Sequence, residues 1–305
     1  MTAYAQIFLA IVSALAWTGC TNAPVASQPN AARAQSVAPA KKTRVQTVSF
    51  QSQLVGKTLP YNVVLPVNYD EASARATRYP VLYLLHGLTG HYDNWTTKTR
   101  ISDYAATHEV IIVTPEGNDG WYTDSQMTPS AKYETYMIKE LIPDVDQRFR
   151  TVSAREGRAI AGLSMGGYGA LKFGVKYPAM FALAGSMSGA PNVASWKRDE
   201  RFEFIWRSLH PVFGDEGSAT RAANDVPKLY RELSPEQIAA LPYIYVDCGT
   251  EDHLLSANRS FVKILVAKKI PHEYRELPGG HSWEYWDARV QEVLKVAMSK
   301  MQRRS

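Results

Sequence analysis

Residues 158–171 read RAIAGLSMGGYGAL, and this stretch decides the fold of the 305-residue chain. Its first six residues are mostly apolar and predict a short buried strand, whereas the small residues after Ser164 predict the start of a helix. Between them, residues 162–166 have the pattern G-x-S-x-G. The glycines leave room for a very tight turn, on which the serine hydroxyl stands clear of the backbone. We therefore predict that Ser164 is a nucleophile; the alternative is a glycine-rich turn without catalysis.

Strand and helix patterns alternate on both sides of this stretch. Apolar runs predict strands that are buried in a sheet, and two alternating runs near the start predict antiparallel strands. The alternation of strands with helices predicts the α/β class, with a mostly parallel central sheet flanked by helices on both faces. The predicted strands are 45–50, 59–66, 79–85, 110–114, 158–163, 181–187, 243–248 and 273–277. The predicted helices are 133–149, one that opens after Ser164 and ends near 177–178, 259–268 and 288–301.

Composition divides the chain into three parts. Residues 1–20 have an apolar run that is too short to span a bilayer comfortably, which is typical of a signal peptide. Residues 21–43 are rich in Ala, Pro, Ser, Gln and Asn and predict a flexible linker. Residues 44–305 are long enough for one large domain. Within it, the irregular and aromatic-rich pattern around 190–240 predicts an insertion over the active site.

The end of the predicted signal peptide resembles a bacterial lipoprotein cleavage box, in which Cys20 would be lipidated. Trp17 stands where such boxes usually have Leu, and no Lys or Arg precedes the apolar run. An ordinary signal peptide with an incidental cysteine is the alternative. We expect an exported protein, either periplasmic or membrane-anchored as a lipoprotein, or else secreted. The second cysteine, Cys248, lies in an apolar run and is predicted to be a buried core residue without a disulfide.

The charge distribution argues against nucleic-acid binding. The net charge is +5, but the first 69 residues contain five basic residues and no acidic one. From Asp70 onward, 29 basic residues face 29 acidic ones, so the folded body is electrically balanced. A basic stripe that could follow phosphates is not visible.

A serine nucleophile needs a base and an acid that orients the base. His281 lies in a glycine-rich loop after the last predicted strand, where an enzyme with the chain order Ser…Asp…His places its base. Asp252 lies in the loop after the preceding strand, and we predict that it is the acid. Asp247 and Glu251 are the alternatives. No pair among the seven histidines has convincing metal-ligand spacing, and we predict neither a metal nor a cofactor.

Ester cleavage places negative charge on the former carbonyl oxygen, which two backbone N–H groups can stabilise. The residue after the nucleophile, Met165, is expected to supply one of them. The loop that begins at His86 follows a buried strand and is expected to supply the other, from Leu88. We predict that His86 braces this loop and does not act as the base.

At this point the chain resembles the esterase D-like "putative esterase" family, which includes S-formylglutathione hydrolases, feruloyl and acetyl-xylan esterases and mycolyltransferases. The resemblance covers about residues 61–286. It implies an α/β-hydrolase fold, with Ser164, Asp252 and His281 at the family's triad positions and Leu88 and Met165 at its oxyanion positions. It rests on six blocks in family order: YPVLYLLHGLTG (79–90), GWYTDS (120–125), YETYMIKELIPDVDQRFR (133–150), AIAGLSMGGYGAL (159–171), DCGTEDHLL (247–255) and GGHSWEYW (279–286).

The resemblance also implies a substrate-binding segment. Trp121, Tyr122 and Asp124 fall where family members line the acyl pocket. The alternative for this segment is a structural turn with a packed aromatic pair, and the sequence does not decide between the two.

Together these features predict a serine carboxylesterase that hydrolyses small carboxylic esters through an acyl-enzyme on Ser164. Its substrates would carry short-chain acyl, acetyl or feruloyl groups, free or linked to a polysaccharide. One alternative is an acyltransferase that moves the acyl group to a sugar hydroxyl, and another is a non-catalytic surface protein on a hydrolase scaffold. We expect contact with a membrane only through an N-terminal lipid anchor.

Overall fold

The structure is a computed structural model that describes residues 43–302. Eight strands form one sheet in the order β1-β4-β6-β5-β7-β8-β9-β10, and β2 and β3 form a separate hairpin. From β6 to β10 all pairs of neighbouring strands are parallel, whereas β1 and β4 are antiparallel to their neighbours. The strands are β1 (Arg44–Val48), β2 (Gln51–Ser52), β3 (Lys57–Thr58), β4 (Tyr61–Leu65), β5 (Val81–Leu85), β6 (Ile111–Pro115), β7 (Arg158–Leu163), β8 (Leu183–Met187), β9 (Tyr243–Gly249) and β10 (His272–Leu277).

Helices cover both faces of the sheet, because its central strands are apolar on both sides. Along β5, Tyr83 and Leu85 belong to one hydrophobic core, whereas Leu82 and Leu84 belong to the core on the opposite face. The helices are α1 (Asn94–Lys98), α2 (Ile101–Ala105), α3 (Tyr133–Tyr136), α4 (Ile142–Arg148), α5 (Met165–Lys176), α6 (Glu203–Phe213), α7 (Ala219–Ala223), α8 (Val226–Arg231), α9 (Pro235–Ala240), α10 (Leu255–Ala267) and α11 (Trp283–Lys300).

The predicted mostly parallel sheet is confirmed, and β7 has the predicted bounds. The helix predicted over 133–149 contains a π-helical turn, Met137–Leu141, between α3 and α4. Pro143 lies in the first turn of α4, and its ring would clash with the carbonyl of Lys139 in a regular α-helix. The wider turn relieves this clash. The last two helices begin four or five residues earlier than predicted, at Leu255 and Trp283.

The segment predicted as an insertion, around 190–240, is mostly helical and comprises α6 to α9. Cys248 is completely buried, as expected for a core residue. The predicted signal peptide, the lipidation site Cys20 and nearly all of the predicted linker lie outside the described residues. Among residues 43–302, no helix combines the length and hydrophobicity needed to cross a bilayer.

Candidate active site

Ser164, His281 and Asp252 form a hydrogen-bonded array at the carboxyl edge of the sheet. The distance from Ser164 Oγ to His281 Nε2 is 3.0 Å, and the distance from His281 Nδ1 to Asp252 Oδ2 is 2.9 Å. The three residues follow β7, β10 and β9, and the carboxyl ends of parallel strands meet at one edge of a sheet. The structure thus brings together three residues that are far apart in the sequence.

Backbone conformation sets the position of Ser164. Its φ of 52° and ψ of −116° lie in a region that non-glycine residues rarely adopt, at a cost of about 1–3 kcal/mol. A Cβ on Gly162 would lie 2.5 Å from the backbone of Gly166, and a Cβ on Gly166 would lie 2.5 Å from the carbonyl oxygen of Leu85. Both glycines are therefore required for the close approach of β5, β7 and α5 around the serine, as the G-x-S-x-G pattern predicts.

The environment of Asp252 favours its charged form. Burial by itself would raise the pKa of this carboxyl, but hydrogen bonds from His281 and from the backbone N–H of Leu254 more than offset it, so the pKa lies below its ordinary value. A carboxylate can only accept hydrogen bonds, so His281 carries its proton on Nδ1. Nε2 is then free to accept the hydrogen bond of the Ser164 hydroxyl and to take up its proton.

Hydrogen bonds between the loop after β9, which carries Asp252, and the loop after β10, which carries His281, fix the relative position of these two residues. Thr250 N donates to Leu277 O at 2.9 Å, and Glu251 N donates to Gly279 O at 3.1 Å. The Glu251 carboxylate also accepts from Gly279 N. Glu251, an alternative acid in the sequence analysis, therefore ties the two loops together and does not contact the imidazole.

Asp247, the other alternative acid, lies inside β9 and is completely buried. Its Oδ1 accepts a hydrogen bond of 3.1 Å from the hydroxyl of Tyr285. Burial raises its pKa to about 7, although the hydroxyls of Tyr245 and Tyr285 lower it in part. This carboxyl thus has a structural position inside the sheet, where it contacts a side chain of α11.

The two predicted oxyanion donors flank Ser164. Met165 is the first residue of α5, and the first N–H groups of a helix have no intrahelical partner. Leu88 lies in the loop after β5, and both Leu88 and Ser164 line the same cavity. A Cβ on Gly87 would lie 3.3 Å from Ser164 Cβ, so this loop packs directly against the nucleophile.

His86 braces this loop, as predicted. It is 1% exposed, and its Nε2 accepts a hydrogen bond of 2.9 Å from Gly117 N. Nδ1 therefore carries the proton and contacts the carbonyl oxygen of Gly87 at 2.8 Å. Thr89, two residues further on, has a φ of 59°, and its N–H donates to the Asp119 carboxylate at 2.7 Å. The loop after β6 thus fixes the loop after β5.

The three residues predicted to bind substrate have different positions. Trp121 lines the cavity, and its indole N–H donates to Ser208 Oγ in α6 at 3.1 Å. Tyr122 and Asp124 are not among the residues that line this cavity. Tyr122 is completely buried, and Asp124 accepts hydrogen bonds from the backbone and hydroxyl of Thr135. For these two residues the contacts are those of the alternative, a structural turn.

A buried lysine anchors this turn. Trp121 and Tyr122 both have φ near 50°. Lys172, two turns along α5 from the serine, is completely buried and donates to Tyr122 O at 2.6 Å and to Thr123 Oγ1 at 2.7 Å. Its third contact is the carboxylate of Glu134 at 2.8 Å. Burial lowers the pKa of Lys172 to about 8, although the nearby carboxylate of Glu134 opposes this effect. All three N–H groups are satisfied, which offsets the cost of burying the ammonium group.

A cavity of about 520 Å³ opens above Ser164. Trp196, Phe204 and Ile205 from the segment around 190–240 form part of its wall, so this segment borders the nucleophile. Another part of the wall is formed by Trp283 and Trp286 in α11. The wall is therefore rich in apolar and aromatic side chains, and Lys98 and Glu284 add charged groups to it besides the polar array.

Sequence reasoning missed two residues next to His281. The ring of Trp286 packs edge-on against its imidazole, with 4.9 Å between the centroids. The ring of His253 lies 4.7 Å from it. Burial, together with the nearby His281, lowers the pKa of His253. In the sequence, only the place of Trp286 in the GGHSWEYW block, shortly after the histidine, indicated a role for either residue; the structure places it in the first turn of α11.

The fold and this array define the class: the chain is an α/β-hydrolase, with the candidate nucleophile on the strand-to-helix turn that is typical of that class. The profile of the family described as "Putative esterase" matches residues 52–296, and the chain belongs to that family.

Several characterised proteins are similar to it. An acetyl esterase of Caldicellulosiruptor saccharolyticus is 30% identical over 265 residues, which are 84% of this chain and 98% of that protein. An esterase of Mycobacterium tuberculosis is 36% identical over 253 residues, and the match covers 76% of this chain but 54% of that protein, so the chain spans about half of its length. The solved structure of a ferulic acid esterase has a TM-score of 0.74 and 29% identity, covering 85% of this chain and 99% of the other.

Proposed function

We propose that this protein is a serine carboxylesterase that hydrolyses small carboxylic esters through an acyl-enzyme on Ser164. The observation that carries the proposal is the pair of hydrogen bonds at 3.0 Å and 2.9 Å that links the Ser164 hydroxyl through His281 to Asp252. Acyl transfer requires a serine that faces an open cavity and is hydrogen-bonded to an oriented base, and Ser164 meets both conditions.

In the first half-reaction, His281 Nε2 takes the proton of Ser164 while Oγ attacks the ester carbonyl carbon. The negative charge that forms on the carbonyl oxygen is stabilised by the N–H groups of Leu88 and Met165. The bond to the alcohol then breaks, and the alcohol leaves with the proton from His281. In the second half-reaction, His281 takes a proton from water, the hydroxide attacks the acyl carbon, and Ser164 regains its proton.

The aromatic wall favours an acyl group that is planar or short. The partly exposed ring of Trp196 offers a face against which an aromatic ring can stack, which suits a feruloyl group. A cavity of about 520 Å³ also accepts acetyl or short-chain acyl groups. The names of the similar proteins, an acetyl esterase and a ferulic acid esterase, agree with both substrate classes. We also propose that the enzyme acts outside the cytoplasm, because residues 1–20 have the pattern of an export signal.

Hydrolysis of p-nitrophenyl acetate, butyrate and octanoate and of methyl ferulate tests the proposal. We expect activity that falls by more than about a thousandfold in Ser164→Ala. Ser102→Ala, which removes a hydroxyl from α2, is the matched control and should retain the wild-type rate. Labelling with a fluorophosphonate probe should likewise disappear only in Ser164→Ala. A folded wild-type protein without activity or labelling would contradict the proposal, and an acyl-sugar product in the presence of sugar acceptors would favour the acyltransferase.

A further inference from the structure

His253 lies directly after the candidate acid and beside the candidate base. Its Nδ1 is 3.7 Å from Asp252 Oδ1, and its ring centroid is 4.7 Å from that of His281. Its side chain is 66% exposed, whereas that of Asp252 is completely buried. One ligand atom from each of these three residues lies within 4.8 Å of the other two. The mechanism above uses two of these residues and gives no task to the third.

Two imidazoles and one carboxylate are a typical ligand set for zinc and similar transition metals. Zinc binds such nitrogen and oxygen atoms at about 2.0–2.2 Å in tetrahedral geometry, so two of its ligand atoms lie roughly 3.3 Å apart. The separation of 2.9 Å between His281 Nδ1 and Asp252 Oδ2 is close to this value. The separation of 3.7 Å between His253 Nδ1 and Asp252 Oδ1 is longer than this value. Because the His253 side chain is exposed, it can rotate to bring its nitrogen closer to the other two ligand atoms. Its exposed side also leaves the fourth position of the metal open to water.

We propose that Asp252, His253 and His281 form an inhibitory site for a divalent transition metal such as Zn²⁺. The metal binds His281 at Nδ1, on the side that faces Asp252. The proton on Nδ1 moves to Nε2, so the imidazole stays neutral and no proton is lost. Nε2 then donates a hydrogen bond to Ser164 and no longer accepts its proton. The bound metal thus holds the base in the wrong tautomer without blocking the cavity.

The choice of metal follows from the ligands. Mg²⁺ prefers oxygen ligands in octahedral geometry and binds imidazole poorly, so it should neither bind this site nor inhibit. His253 gives the site its selectivity, because without it only one imidazole and one carboxylate remain. In the proposed site His253 serves only as a metal ligand, and it forms no part of the proton transfer.

Calorimetric titration of the full chain with Zn²⁺ tests the site independently of activity. We expect one site whose affinity falls by at least about tenfold in His253→Gln. His210→Gln is the matched control, since His210 forms another exposed contact with a carboxylate, 2.9 Å from Asp215. The His210→Gln variant should bind Zn²⁺ at the proposed site with the affinity of the wild type. Equal affinity in the wild type and His253→Gln, or an absence of Zn²⁺ binding, would overturn the proposal.

The inhibitory role rests on the proposed function and has its own measurement. Hydrolysis of p-nitrophenyl acetate is followed against Zn²⁺ concentration, each variant is compared with its own metal-free rate, and a chelator is added at the end. We expect wild-type activity to fall at least tenfold and to return with the chelator, with His253→Gln needing at least tenfold more Zn²⁺. Zinc that binds without inhibiting would refute the inhibitory role. A protein without esterase activity would contradict the proposed function but leave the calorimetric result to decide the site.

Discussion

The hydroxyl of Tyr122 donates a hydrogen bond of 3.1 Å to the backbone carbonyl of His86, and both residues are almost completely buried. This bond joins the turn that Lys172 anchors to the loop that carries Leu88. The nucleophile helix α5 therefore holds the candidate oxyanion loop indirectly, through the side chain of a residue that does not line the cavity.

The substitution Tyr122→Phe tests this connection. It removes only the hydroxyl, and we expect kcat to fall roughly three- to tenfold, because a looser loop aims the Leu88 N–H less well. The matched control is Tyr230→Phe, whose hydroxyl donates to Leu171 O at the same distance of 3.1 Å, also in a buried position. Both variants should lose about 1 kcal/mol of unfolding free energy in urea titrations. An equal loss of kcat in both would show that Tyr122 acts through stability alone.

The assignment of the acid predicts different effects for two neighbouring carboxyls. Asp252→Asn should lower kcat by roughly 10³–10⁴ with little change in KM, because an amide donor facing Nδ1 favours the wrong tautomer of His281. Glu251→Gln keeps a side-chain oxygen that can accept the hydrogen bond from Gly279 N, so it should cost less than about tenfold. Steady-state kinetics with p-nitrophenyl butyrate measure both. A similar loss in the two variants would contradict the choice of Asp252.

The hydrogen bond from Trp121 to Ser208 connects the cavity wall to α6. Ser208→Ala should raise KM roughly two- to fivefold with little change in kcat, since the indole then loses its fixed orientation in the wall. Ser299→Ala is the matched control: both hydroxyls donate to the carbonyl three residues earlier at 2.7 Å, but Ser299 lies in α11 and does not line the cavity. Equal kinetics for Ser208→Ala and the control would mean that the bond does not order the wall.

The buried carboxyl of Asp247 predicts how stability depends on pH. Because burial raises its pKa from 3.8 to about 7, the folded protein keeps a proton that the unfolded chain releases. The unfolding free energy should therefore fall as pH rises from about 4 to about 7, by an amount on the order of 2–4 kcal/mol, and then level off. Urea titrations at pH 5 and pH 8 measure this.

In Asp247→Asn this part of the pH dependence should disappear, so that the variant gains stability relative to the wild type as pH rises. The control is Asp103→Asn, which changes an exposed carboxyl in α2 and should leave the dependence intact. If wild type and Asp247→Asn have parallel pH profiles, the carboxyl is ionised at pH 5 and its pKa is not raised.

Much of the architecture could be predicted because it follows from local sequence patterns, namely apolar runs and glycine-rich turns. The bounds of β7 follow from an apolar run that ends at a G-x-S-x-G turn. The proximity of Asp252 and His281 to Ser164 could be predicted because all three residues follow strands. The carboxyl ends of parallel strands lie at the same edge of the sheet. The π-helical turn at Met137–Leu141 was missed because periodicity alone does not register the effect of a single proline on the turn before it.

The sequence by itself determined the chain order of the strands in the large sheet and of the candidate nucleophile, acid and base, because apolar periodicity and glycine spacing act over a few residues. Only the tertiary structure decided that Trp121 lines the cavity while its buried neighbour Tyr122 does not, and that His253 lies beside His281. These outcomes depend on packing between segments that are distant in the sequence. The direction of a side chain on a turn with positive φ is set by those contacts and not by its neighbours along the chain.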